Sequence, residues 1–223
     1  MPQTPDQARF EAARGSILNQ DSRVDRIGTL GEKALHAVVK QYIEMDLAKH
    51  EKKLGNFVLD IFTDDRIYEI QTRQFSKLAA KLSVLLPEYP LTIVYPMPAR
   101  KWLLWIDPDS GEVKKPRLSP KRGNVHTVFS ELYRIKQFLQ HANLSLVIIQ
   151  IDLEEYRLLS GWSEDRKRGS WRNDRLPLAL DRELLVIGPL DFSLLIPDSL
   201  PQFSPVPTLP RQPGSTASWR RQA

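Results

Sequence analysis

The chain of 223 residues contains no cysteine, which excludes disulfide bonds, thiolate zinc sites and cysteine nucleophiles. Histidine is scarce, and its four positions (His36, His50, His126 and His141) show no spacing typical of a metal site. No apolar run reaches the roughly 18 residues that a membrane-spanning helix needs, and the polar N-terminus lacks the apolar stretch of a secretory signal. We therefore expect a cytoplasmic protein.

The net charge of +5 is distributed unevenly along the chain. Residues 99–175 hold 15 basic and 10 acidic residues, whereas the two kinds are equal in number both before and after this region. A local basic excess suits a polyanionic partner, nucleic acid first. A solvated surface rich in lysine and arginine would give the same count, so charge alone leaves both interpretations open.

Hydrophobic periodicity predicts an α/β fold in the first half of the chain. The predicted elements are an N-terminal arm (1–27), a helix that Thr29 and Glu32 begin as a capping box and that reaches about residue 48, a hairpin (about 56–62 and 66–71), a helix (74–86) and two strands (91–95 and 101–106). This order predicts a mixed sheet flanked by helices.

The second half is predicted to hold a smaller accessory region, α/β or strand-rich, over residues 107–196. It includes a helix at about 126–141 and a buried strand that begins at residue 144. Its loop at 161–175 carries five basic and three acidic residues, which makes it a candidate for nucleic-acid contact. The candidate residues are Arg166, Lys167, Arg168, Trp171, Arg172 and Arg175. Six prolines after residue 196 predict a disordered tail over 197–223.

Two carboxylates in the hairpin raise a question of charge. If the turn is centred between Asp64 and Asp65, Asp60 lies directly opposite Glu69, and like charges opposed across strands destabilise a sheet. A divalent cation resolves the repulsion, because Mg²⁺ prefers oxygen ligands and two carboxylates about 5 Å apart at Cβ can share one ion. The pair therefore predicts a metal site.

Strand alternation extends this pattern along the hairpin. Gln71 follows Glu69 by two residues and is expected on the same face as Asp60. The expected core face consists of Leu59, Ile61, Tyr68 and Ile70. The alternative left open by the spacing is that the polar face is simply the solvent side of a half-buried hairpin, with no metal.

Asp60, the stretch Glu69-Ile70-Gln71 on the next strand, and Glu32 in the preceding helix together resemble the motif of the PD-(D/E)xK nuclease superfamily. Restriction enzymes and archaeal Holliday junction resolvases belong to that superfamily. The resemblance covers about residues 28–106 and implies a restriction-endonuclease-like core that hydrolyses phosphodiester bonds in DNA. It also implies that Mg²⁺ or Mn²⁺ is held by Asp60, Glu69, Glu32 and the backbone carbonyl of Ile70.

The sequence departs from that motif at Gln71, where the family has a lysine. An amide can orient water but supplies no positive charge to the transition state, so we consider Lys77 in the next helix as a residue that could reach back. Arg73, just past the strand end, is a candidate for contact with the DNA backbone, and an ordinary residue at the start of the next helix is the alternative.

The departure at Gln71 leaves two alternatives to an active nuclease. One is an inactive nuclease-fold module that binds DNA or regulates, and the other is a scaffold whose basic loop meets an acidic protein. DNA is the expected partner and a membrane is not. A homodimer and a separate partner protein stay open.

Overall fold

The computed structural model describes residues 2–3, 6–18, 34–107, 109–158 and 171–196, with the backbone alone at 2–3 and 171–173. Within these residues eight strands form one mixed sheet with helices on both faces, which confirms the predicted fold class. The strands are β1 (Pro2–Gln3), β2 (His50–Leu54), β3 (Phe57–Phe62), β4 (Ile67–Ile70), β5 (Leu91–Ile106), β6 (Arg117–Leu118), β7 (Leu144–Leu158) and β8 (Trp171–Ile187).

Four α-helices pack against this sheet in the described part of the chain, together with short 3₁₀ helices. The α-helices are α1 (Gln7–Leu18), α2 (Ala34–Ile43), α3 (Ala79–Leu85) and α4 (Phe129–Leu132). The 3₁₀ helices are Leu47–Lys49, Phe75–Leu78, Val125–Val128, Tyr133–Phe138 and Pro189–Leu195. None of the described helices is long and apolar enough to cross a membrane.

The strand order in the sheet is β1-β8-β7-β5-β4-β3-β2, and β6 pairs with β5 outside this path. Strands β2, β3 and β4 form an antiparallel meander, and the segment containing α3 then crosses over to β5, which lies parallel to β4. The predicted order of helix, hairpin, helix and strand is present, with β2 as one additional strand before the hairpin.

Apolar side chains cover both faces of the central strands, as is usual for parallel pairs with helices on each side. We call the two sides the α3 face and the α2 face. The α3 face packs Phe75, Leu78, Leu82, Leu85 and Leu86 against the sheet, so the predicted apolar side of the 74–86 helix is confirmed. The α2 face packs α1 and α2, including the fully buried Phe10 and Ala13.

Two expectations for the N-terminal region change. The described part of the predicted N-terminal arm is not separate from the core, because α1 contributes fully buried side chains to the α2 face. Helix α2 ends at Ile43 rather than near residue 48, and Asp46 caps a separate 3₁₀ helix there by accepting a hydrogen bond from the N–H of Ala48. The predicted capping box lies outside the described residues.

The strands predicted at 91–95 and 101–106 are one strand of 16 residues with an irregularity between Pro98 and Lys101. Two prolines lie inside it without loss of ladder hydrogen bonds. Val94 turns its carbonyl to β4, where it accepts from the N–H of Gln71. Backbone groups alternate along a strand, so those of Pro96 and Pro98 face the same side as those of Val94. Strand β4 has already ended there, so its ladder does not need the N–H groups that these prolines lack.

The sheet also runs across the expected boundary between residues 106 and 107. Strand β7 pairs with β5 over the whole length of β5, and β8 pairs with β7. The predicted strand from residue 144 is confirmed as β7. Residues 171–175, expected in the basic loop, are the beginning of β8, whereas 159–170 and the tail at 197–223 lie outside the described residues.

Candidate functional site

The ladder between β3 and β4 opens at the predicted acidic pair. Ile61 pairs with Tyr68, as the predicted register requires. One step further along β4, the N–H of Ile70 donates to Oδ2 of Asp60 (2.8 Å) rather than to a backbone carbonyl of β3. The carbonyl oxygen of Ile70 lies 3.2 Å from Nε2 of His36 on α2. We call this opened region, formed by Asp60, Glu69 and Ile70, the β3–β4 seam.

The side chains along β3 do not alternate as expected. The prediction that Leu59, Ile61, Tyr68 and Ile70 share one face is wrong for Leu59, which packs on the α3 face while the other three pack on the α2 face. The irregularity lies at Asp60, between Leu59 and Ile61. The residue opposite Asp60 on β2 is Glu51, which has a left-handed backbone with φ of 52° that a regular strand does not contain.

Asp60 is half-buried and surrounded by groups that favour its charged form. Nε2 of His36 lies 3.3 Å from its Oδ2. Burial alone would raise the pKa of Asp60, but the His36 side chain, the N–H of Ile70 and the charge on Lys40 together hold it below its usual value. An open groove of about 610 Å³ adjoins His36 on the α2 face, and Lys40 and Glu51 also line it.

Glu69 is more deeply buried, with 4% of its surface exposed. Nζ of Lys81 on α3 donates to its Oε2 (2.7 Å) and also to the carbonyl oxygen of Val58 on β3 (2.8 Å). Burial, and next the negative charge on Asp60, raise the pKa of Glu69 to about 7, although Lys81 opposes this shift. Its other oxygen, Oε1, is buried and accepts no hydrogen bond of ordinary geometry from the described residues, although the backbone N–H of Asp60 is near enough to lower the pKa of the carboxyl.

The acidic pair therefore does not form a solvent-facing row. His36 approaches Asp60 from the α2 face, and Lys81 approaches Glu69 from the α3 face. The two carboxylates still interact, because the charge on Asp60 contributes to the raised pKa of Glu69. Part of the repulsion that motivated the metal hypothesis is thus relieved by Lys81 and the His36 side chain.

The donors present fit a hard cation by their chemistry. Mg²⁺ prefers oxygen ligands. The seam offers the carboxylate of Asp60, the carbonyl of Ile70 and Oε1 of Glu69. In the described part of the chain no group of three or more histidine or carboxylate side chains is arranged as a metal site. Glu32, the fourth predicted ligand, lies outside the described residues.

The other predicted residues near the seam are arranged differently from the expectation. The Gln71 side chain does not join the carboxylates; its amide donates to the backbone carbonyl of Arg73 and holds the turn before α3. Lys77 is exposed on the 3₁₀ helix Phe75–Leu78. Arg73 is exposed just beyond the end of β4, and its predicted contact with DNA stays a prediction.

The predicted nucleic-acid residues of the second half are only partly described. Arg166, Lys167 and Arg168 lie outside the described residues, and Trp171 and Arg172 are described by their backbone in β8 alone. Arg175 is a half-buried strand residue opposite Glu155 on β7, not a loop residue.

The lysine that reaches Glu69 was not among the residues predicted from the sequence. Lys81 lies one helical turn after Lys77. It comes three residues after the buried Leu78 and directly before the buried Leu82, which places it beside the apolar side of the helix. The segment begins as a 3₁₀ helix rather than an α-helix, so its angular spacing differs over the first turn. The two lysines four residues apart are visible in the sequence, but the sequence does not show which of them faces the sheet.

A family model described as a domain of unknown function (DUF8091) matches residues 33–186, from just before α2 almost to the end of β8. The chain belongs to this family. A protein of Treponema pallidum (strain Nichols), described as an uncharacterized protein, is 32% identical over 163 residues, which are 72% of this chain and 61% of that protein. The chain thus spans about three fifths of the length of this relative. No solved structure matches the chain.

Proposed function

We propose that the chain is a metal-dependent nuclease that hydrolyses phosphodiester bonds in DNA, with its ion held at the β3–β4 seam. The observation that carries the proposal is the buried Oε1 of Glu69, which accepts no hydrogen bond of ordinary geometry from the described residues although Asp60 and the Ile70 carbonyl lie in the same seam. A buried carboxylate oxygen without a partner is costly in a folded protein. A bound cation would satisfy it.

The order of elements supports the same proposal. Helix α2, the hairpin β3–β4, α3 and the parallel strand β5 follow one another as in the PD-(D/E)xK resemblance, and Asp60 and Glu69 occupy neighbouring strands as that motif requires. The backbone carbonyl expected among the ligands, that of Ile70, is the one released from the β3–β4 ladder.

In this proposal Asp60, Glu69 and the Ile70 carbonyl hold Mg²⁺ or Mn²⁺. When bound, the ion supplies a water of lowered pKa and a positive charge near the scissile phosphate. Lys81 holds Oε2 of Glu69 and supplies the positive charge that Gln71 lacks. Glu69 becomes a charged ligand only when it loses its proton near pH 7, so activity should rise between pH 6 and 8.

The test is cleavage of plasmid, single-stranded and branched DNA with Mg²⁺ or Mn²⁺ by the purified chain. We expect Asp60→Asn and Glu69→Gln each to lower the rate at least about 100-fold, because each removes a charged ligand. Asp64→Asn, at the exposed turn of the same hairpin, is the matched control and should keep full activity. Cleavage that persists in both Asp60→Asn and Glu69→Gln would exclude the proposed site.

A second candidate is a DNA-binding module with the same fold and no catalysis. The observation that favours it is that His36 and Lys81 already contact the two carboxylates, while Gln71 is engaged in a turn. This candidate predicts DNA binding without cleavage of any substrate. It also predicts that calorimetry detects no uptake of Mn²⁺, whereas the nuclease proposal predicts uptake that Glu69→Gln abolishes.

A further inference from the structure

Beyond the end of β4, a second segment pairs with the same edge of β5. Strand β4 ends at Ile70, and its last contact with β5 is the hydrogen bond from the N–H of Gln71 to the carbonyl of Val94. After the irregularity at residues 98–101, the same edge of β5 is occupied by residues 113–123, which run antiparallel to β5. We call these residues the basic strap.

Backbone hydrogen bonds attach the basic strap to β5 along its length. The N–H groups of Lys114, Ser119 and Gly123 donate to the carbonyls of Trp105 (2.8 Å), Lys101 (2.8 Å) and Ala99 (3.0 Å) respectively. Strand β6 pairs with β5 between these points. At the end of the strap the backbone approaches closely, since a Cβ on Gly123 would lie 1.8 Å from the carbonyl oxygen of Pro98. The basic strap is therefore fixed to the edge of β5 by backbone hydrogen bonds.

The side chains of the strap are exposed and strongly basic. No acidic residue falls anywhere between Glu112 and Glu131. The cations of the strap are Lys114, Lys115, Arg117, Lys121 and Arg122, all exposed. The pKa of Asp107 beside the strap is lowered first by the N–H groups of Ser110 and Asp109, and the charge on Lys114 adds to this shift. Arg100 and Lys101 on the adjacent strand, by contrast, are held in ion pairs with Asp152 and Glu155.

The dimensions of the strap match a polymer of phosphates. A strand rises about 3.3 Å per residue, so the strap extends over roughly 20 Å between Trp105 and Ala99, and Ala99 lies at most about 17 Å along β5 from Val94. One DNA strand carries a phosphate about every 3.4 Å of helix axis, so that length covers about six phosphates. Arg73, three residues after the end of β4, is a further exposed cation.

We propose that the basic strap binds the phosphate backbone of DNA and directs it along the edge of β5 toward the β3–β4 seam. The role in delivering substrate rests on the proposed nuclease function, but the binding surface does not. DNA fits better than a membrane because Val113 and Leu118 are the exposed large hydrophobic residues of the strap, and they are separated by cations. The strap also presents its charges along an extended line, as a linear polyanion requires.

The test compares two variants that each remove one lysine and one arginine. Lys121→Gln with Arg122→Gln alters the strap, and Arg134→Gln with Lys136→Gln alters exposed cations of the 3₁₀ helix Tyr133–Phe138. Binding of a fluorescent DNA duplex is measured by anisotropy in EDTA between 50 and 300 mM KCl. The slope of log K against log salt is negative, and its magnitude grows with the number of phosphates that the protein neutralises. We expect the strap variant, which loses two cations, to reduce that magnitude by about 2. The helix variant should leave the slope unchanged.

Each outcome decides the proposal. Equal slopes for both variants, or wild-type binding that does not depend on salt, would overturn it. A strap variant that weakens binding to vesicles of anionic lipid while DNA binding is unchanged would also overturn it and assign the surface to membranes. Because EDTA removes catalysis, a changed slope supports the strap even if the wild type cleaves no DNA, and the nuclease proposal then fails alone. Thermal melting of both variants establishes that they are folded.

Discussion

Replacement of Glu69 by glutamine should remove a pH dependence from the stability of the protein. Glu69 has its pKa raised from 4.5 to about 7, so the folded protein keeps a proton that the unfolded chain releases. The stability associated with this proton is full below pH 4.5 and is lost as the pH rises through 7. At 1.36 kcal/mol per pKa unit, the loss amounts to about 3 kcal/mol.

The assay is urea unfolding of the wild type and of Glu69→Gln between pH 5 and pH 8.5. The variant has no proton to lose, so its free energy of unfolding should gain about 2.5 kcal/mol relative to the wild type between pH 5 and pH 8. The difference between the two curves cancels the titration of the histidines. Glu88→Gln, on an exposed glutamate after α3, is the control and should give a flat difference curve. A flat difference curve for Glu69→Gln would refute the reasoning.

The same experiment with metal tests the coupling between charge and binding. At pH 8, where Glu69 is ionised, a saturating concentration of Mn²⁺ should recover part of the lost stability in the wild type, because a ligand that binds only the folded state stabilises it. At pH 5.5 the effect should be much smaller, since the proton competes with the ion for Glu69. Equal stabilisation at both pH values would contradict a role for Glu69 as a ligand.

Three further changes test other parts of the structure. Lys81→Met removes the cation beside Glu69, so the pKa of Glu69 should rise further and the pH-difference curve should move to higher pH. Phe10→Ala should cost about 3–5 kcal/mol in urea unfolding because the ring is fully buried, whereas Phe129→Ala, at an exposed ring, should cost under about 1 kcal/mol. Gly123→Ala should detach the end of the strap and speed hydrogen exchange of its amides, because the added Cβ meets a backbone oxygen of β5.

Local patterns were sufficient for the elements around the seam. The turn at Asp64 and Asp65 and the alternation of apolar residues predicted the hairpin register, which the pairing of Ile61 with Tyr68 confirms. The apolar side of the 74–86 segment was also predicted, although the segment begins as a 3₁₀ helix. Both features depend on residues within about ten positions of one another, where backbone geometry determines which side chains share a face.

Tertiary structure decided which groups meet in the seam. The opening of the ladder at Ile70 depends on the His36 side chain reaching in from α2 and Asp60 replacing a backbone acceptor. Lys81 reaches Glu69 only because α3 packs with this lysine turned toward β3 and β4. No periodicity in the sequence specifies that rotation of the helix about its axis.

The sequence by itself determined the α/β class, the hairpin with its acidic pair, and the absence of thiol chemistry, because these follow from residue type and short-range spacing. Only the tertiary structure decided that β5, β7 and β8 complete one sheet across residue 106, and that a basic strap follows β4 along the same edge of β5. For the pairing of β5 with β7, the physical reason is distance along the chain. Pairing between strands more than 40 residues apart depends on the burial and ladder hydrogen bonds of the whole sheet, and no short segment contains that information.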